Sequence, residues 1–91
     1  MFRVLIVDDD KNIRFLMREV FEMENYVVFS ASNGLEALKI LDSEHIDIAI
    51  VDIMMPKMDG YEFVKALREY NKDLPVLMVS AKQMSEDRKK G

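Results

Sequence analysis

The sequence contains no cysteine, which removes disulfides and thiolate metal sites together. No apolar stretch approaches the ~20 residues of a membrane span, so no membrane role is expected. The opening residues, Met-Phe-Arg-Val-Leu-Ile-Val-Asp, lack the apolar length and small-residue cleavage site of a signal peptide. A reducing cytoplasm is the expected setting. Acids and bases are interspersed at a net charge of −4, so nothing advertises nucleic acid or an anionic membrane. Linkers, low-complexity segments and repeats of whole modules are missing too.

What remains is a globular composition, 49% hydrophobic and 33% charged over 91 residues. That length suits one small domain, residues 1–91, and not two. A chain this short buries only about two-thirds of its unfolded surface, so loss of any covering helix would hurt.

Arg3 to Val7 runs apolar without alternation, as a strand covered on both faces does. It stops at Asp8-Asp9-Asp10. Lys11 to Glu24 carries Ile13, Leu16, Met17, Val20 and Phe21 at helical spacing, which predicts a helix with one wide apolar face, and Asn25 is its expected stop. Tyr26 to Ala31 reads as a second strand and Ser32-Asn33-Gly34 as a turn into a helix. That helix, Leu35 to about Ser43, shows Leu35, Leu38 and Leu41, with Ala37 and Ile40 alongside. Ile46 to Val51 is the third expected strand, closed by Asp52. Asp59-Gly60 then opens a helix over Tyr61 to Tyr70 with Phe63, Val64 and Leu67 inward. Val76 to Val79 is a fourth strand ending at Ser80-Ala81, and Ser85-Glu86-Asp87 begins a fourth helix within which the chain stops.

Such strand–helix alternation implies an α/β fold, a doubly wound parallel sheet with helices on both faces. Three strands share an echo: Val-Leu-Ile-Val-Asp, Ile-Ala-Ile-Val-Asp and Val-Leu-Met-Val-Ser. Each ends in an oxygen-bearing side chain, at the carboxyl edge where doubly wound sheets place their ligands. If the strands are neighbours, a spacing of ~4.8 Å gathers those side chains into one cluster.

In that cluster Asp8, Asp9 and Asp52 could not all stay ionised alone, so protons or a cation must be bound. Oxygen ligands without His or Cys favour a hard ion, Mg2+ above Ca2+. Because Mg2+ readily binds phosphate oxygens, Asp52 reads as an aspartyl nucleophile for phosphoryl transfer. Ser80 could donate a hydrogen bond to a phosphoryl oxygen. Competing readings exist for each residue. An Asp before a helix is most often an N-cap, and Asp10 is expected to be one. Asp59-Gly60 reads as a turn, and His45 as a surface residue. The methionines read as core filling, with Met54, Met55 and Met58 at a candidate partner surface. A phosphatase with an Asp nucleophile is a distant alternative, since the usual second Asp two residues later is Met54.

The segments Val4–Asp10, Ala31–Leu38, Ile46–Phe63 and Pro75–Ala81 resemble the receiver domain of two-component response regulators. The likeness covers essentially the whole chain. The Asp-Asp pair together with Val-Asp-Ile-Met-Met-Pro-x-Met-Asp-Gly is its signature. The resemblance implies a flavodoxin-like sheet, here with strand order 2-1-3-4 and without the family's final strand and helix. It implies that Asp52 is the phosphoacceptor and that Asp8, Asp9, Asp52 and the Met54 backbone carbonyl hold Mg2+. Ser80 falls at the switch hydroxyl position, and Ala81 at the small position beside the phosphoryl group. The implied partner is a sensor histidine kinase, and small phosphodonors can replace it. The text Glu86-Asp87-Arg88-Lys89-Lys90-Gly91 is reminiscent of receivers with a winged-helix output domain, so DNA contact is expected only through such a domain, outside this sequence.

The family's fifth strand brings a Lys to the phosphoryl group. That Lys is absent here, and Lys82 is a poor geometric substitute. An exposed fourth-strand edge and an uncovered face beside the first helix would then favour self-association, including domain swapping. The alternative expectation is therefore a truncated, non-switching fragment that acts as a self-associating module.

Overall fold

The computed structural model describes residues 1–53, 60–70 and 73–79. Its elements are β1 (Arg3–Val7), α1 (Lys11–Met23), β2 (Val27–Ala31), α2 (Gly34–Ser43), β3 (Ile48–Asp52), α3 (Gly60–Tyr70) and β4 (Val76–Val79). The strands form one parallel sheet in the order β2-β1-β3-β4. This is the expected flavodoxin-like arrangement.

The continuous apolar runs are explained by the two faces of the sheet. Alternate side chains of a strand point to opposite faces. On one face Leu5 and Val7 of β1 join Ala49, Val51, Ala37, Phe63 and Leu67 in a core beneath α2 and α3. On the other, Val4 and Ile6 join Val28 and Ile50, with Met17 and Phe21 of α1 packed over them. Both faces of the inner strands are therefore dry, and polar residues are confined to their ends.

Local chemistry sets the helix boundaries. Asp10 caps α1, its side chain accepting from the N–H groups of Asn12 and Ile13 at 2.8 and 3.3 Å, as the sequence suggests. At the other end Asn25 takes a left-handed φ of 67°. The Tyr26 N–H reaches Phe21 O and the Asn25 N–H reaches Glu22 O, at 3.1 and 3.0 Å, a Schellman closure in which the Phe21 and Tyr26 rings also meet. Asn33 caps α2 by accepting from the Glu36 N–H at 2.9 Å, and Glu36 reaches back to the Ser32 N–H at 2.8 Å.

Some expected boundaries move. Glu24 is the C-cap of α1 and not its last turn. Tyr26 spends its N–H on the helix closure, so β2 begins at Val27. Gly34 and Gly60 are each the first residue of their helices. β3 starts at Ile48, two positions later than its apolar run suggests, because the Asp47 carboxylate takes the Arg3 N–H at 2.7 Å in place of a strand carbonyl. Asp52 is the last residue of β3, paired with Val79. Phe63 and Leu67 are buried as expected. Leu35 is exposed, outside the buried side of α2.

The α1 face is covered only in part. Leu16, Val20 and Leu77 are 62%, 58% and 53% exposed. With Met17, Phe21 and Val79 they border an apolar groove of about 290 Å3 beside β4. The expected fourth helix lies outside the described residues. Among the described residues no helix is long and apolar enough to cross a membrane.

Candidate functional site

Register brings the acids together. Val7 of β1 lies opposite Val51 of β3, so the next residues, Asp8 and Asp52, emerge side by side at the carboxyl edge of the two central strands. Carboxylate oxygens of Asp8, Asp9 and Asp52 all lie within 4.8 Å of one another. Asp8 and Asp52 are 0% and 1% exposed, while Asp9 is half-buried. Burying carboxylates costs several kcal/mol, roughly, unless charge or hydrogen bonds meet them. Three such groups in one place repel each other, which a bound cation relieves. All three donors are oxygens, a set that fits a hard divalent cation and not a soft one.

The loop carrying Asp8 is held from several sides. The Asp8 N–H donates to Ala31 O of β2 at 3.1 Å. Its Oδ1 accepts from the Asp10 N–H at 2.8 Å. Its carbonyl accepts from Arg14 Nη1 at 2.7 Å. The last two contacts are not apparent from residue types and spacing. For Arg14 a signal exists: side chains early in a helix lean towards its N-terminus and so over the preceding loop.

The structure brings Asp8, Asp9 and Asp52, expected to converge, into one cluster. Met54, Ser80 and Ala81, like Lys82, lie outside the described residues. His45 is on the surface, its side chain 75% exposed and its Nε2 2.9 Å from Asp47 Oδ1. It lies three positions before the first residue of β3, Ile48, at the opposite end of that strand from Asp52, and plays no part in the cluster.

Fold and site together define a parallel α/β domain with an acidic cluster at the carboxyl edge of its central strands. A family model described as the response regulator receiver domain matches residues 4–91, and the chain belongs to that family. Response regulator SaeR of Staphylococcus epidermidis is 44% identical over 87 residues, spanning 96% of this chain and 38% of that protein. The chain thus spans well under half the length of that relative. Response regulator TrrA of Thermotoga maritima, solved in complex with Mg(2+)-BeF, superposes with a TM-score of 0.84 at 41% identity, covering 89% of this chain and 70% of that one. TrrA in complex with the histidine kinase ThkA gives a TM-score of 0.83 at 41% identity, with the same 89% and 70% coverage.

Proposed function

We propose that this chain is a phosphoacceptor module of two-component signalling, in which Asp52 receives a phosphoryl group from a sensor histidine kinase. The observation that carries this reading is the convergence of the Asp8, Asp9 and Asp52 carboxylates within 4.8 Å. The oxygen-only donor set suits Mg2+, held by Asp8, Asp9, Asp52 and the Met54 carbonyl. Mg2+ bound there would supply charge neutralisation for the phosphoryl group. The relatives support this assignment, since TrrA has been solved both with Mg(2+)-BeF and with a histidine kinase.

An Asp52 carboxylate oxygen acts as the nucleophile on phosphorus. The bond from phosphorus to the kinase imidazole breaks, and its electron pair stays on the imidazole nitrogen. Ser80 donates its hydroxyl to a phosphoryl oxygen and Ala81 leaves room beside it; these two roles and that of Met54 rest on the family resemblance. Such a chain is a regulatory phosphoacceptor, catalysing its own loading and unloading at most. Contact with DNA is assigned to an output domain outside these residues.

A second reading is favoured by the apolar groove between α1 and β4. In it the chain is an interaction module that self-associates through the β4 edge or the exposed α1 face. A Mg2+ titration in the presence of beryllofluoride separates the two. Saturable binding that vanishes in Asp52→Asn is the expected result. No binding, together with concentration-dependent dimerisation, would replace the first reading with the second.

A further inference from the structure

Asp8 is the residue through which β1 enters the site, and its main chain has an unusual partner. The Asp8 N–H points at β2 and is taken by Ala31 O. Asp8 follows the last pair of the two strands, Val7 and Ala31, so its carbonyl lies past the end of the β1–β2 ladder. A buried carbonyl needs a donor. Arg14, half-buried on the first turns of α1, supplies it at 2.7 Å.

A guanidinium is a costly choice for one carbonyl, since it is rigid, permanently charged and adapted to carboxylates. Its placement makes sense if the direction of the Asp8–Asp9 peptide matters. The Asp10 N–H fixes the Asp8 carboxylate from one side, and Arg14 fixes the main chain from which Asp8 and Asp9 project. Together these bonds set the angle at which both side chains face Asp52.

We propose that Arg14 is a positioning residue for the cation site: it aims the Asp8–Asp9 pair at Asp52 by holding the Asp8 carbonyl. This inference rests on the reading of the cluster as a Mg2+ site. Mg2+ demands near-ideal octahedral geometry, whereas Ca2+ tolerates irregular coordination. Loss of aim therefore weakens Mg2+ more than Ca2+, which a general loss of stability would not do. Groups that orient metal ligands from behind typically contribute 10–100-fold in affinity.

The test is calorimetric titration of the chain with MgCl2 and, separately, CaCl2, for the unsubstituted protein and Arg14→Met. Circular dichroism checks that both are folded. The expected result is a Mg2+ affinity weakened about 10-fold, a smaller change for Ca2+, and an unchanged helical spectrum. Equal Mg2+ affinity in the two proteins, or equal losses for both ions, overturns the inference while leaving the cluster intact. If the unsubstituted chain binds no Mg2+, the reading of the cluster falls and this inference falls with it. Should Arg14→Met not fold, Arg14→Gln, polar but too short to reach, takes its place. Failure of both to fold makes Arg14 a structural residue and overturns the proposal.

Discussion

Replacing Asp52 by Asn should stabilise the metal-free chain and abolish its response to Mg2+. Oxygens of Asp8, Asp9 and Asp52 lie within 4.8 Å of one another. Two unit charges at that distance repel by about 0.9 kcal/mol in a water-like medium and about 3.5 kcal/mol at an effective dielectric of 20. Asp52 takes part in two of the three pairs, and the half-exposed Asp9 draws the sum towards the lower limit. Asp52→Asn should therefore raise metal-free stability by about 2–4 kcal/mol. For the unsubstituted chain, Mg2+ at 100 times its dissociation constant adds about 2.7 kcal/mol. Urea unfolding followed by far-UV circular dichroism, once with EDTA and once with Mg2+, measures both terms. In EDTA the midpoint of Asp52→Asn should lie above that of the unsubstituted chain. In Mg2+ the difference should shrink or reverse. A variant less stable in EDTA, or one that gains as much from Mg2+ as the unsubstituted chain, would refute the reasoning.

Three further outcomes follow from the packing and the caps. Phe63 is fully buried against the sheet, so Phe63→Ala should cost about 3–5 kcal/mol; a urea midpoint displaced by less than ~1 kcal/mol would contradict its place in the core. Asn25 holds a left-handed φ of 67°, so Asn25→Ala should cost about 1 kcal/mol while Asn25→Gly stays close to neutral, both read from thermal midpoints. The Arg3 N–H, aided by a weaker hydrogen bond from His45, holds the Asp47 carboxyl below its ordinary value against the opposing effect of burial. Asp47 thus takes up its proton at lower pH in the folded chain than in the unfolded one. Its contribution is full above the ordinary value of about 3.8 and is lost as pH falls through the lowered folded value. The stability gap between the unsubstituted chain and Asp47→Asn should therefore be wide at pH 6 and narrow at pH 3; a gap that does not change would remove Asp47 from the acid limb.

The parts of the fold legible in the sequence are those decided by local pattern. Arg3–Val7 reads as a doubly covered strand because both of its neighbouring layers are apolar, and the Asp10 cap reads from its place before an apolar periodic run. Ile46 misleads because apolar character continues the run of β3 while pairing does not. The start of β3 is set by a bond between Asp47 and Arg3, 44 positions apart. Periodicity likewise groups Leu16 and Val20 with Met17 and Phe21, yet it says which residues share a side of α1 and not what lies against them. The site divides along the same line. Asp8 and Asp52 are legible because two similar strands end in Asp, and a parallel pairing in register turns equal endings into neighbouring side chains. Arg14 is legible only in part: its place early in α1 leans it over the preceding loop, but which main-chain group it meets there, the Asp8 carbonyl, depends on how that loop turns. Strand endings thus locate the charges of this site, whereas its geometry depends also on main-chain groups of the loop that follows β1. The Mg2+ affinities of Asp52→Asn and Arg14→Met should accordingly differ in kind: the first removes a ligand and ends binding, and the second keeps every ligand and loosens it.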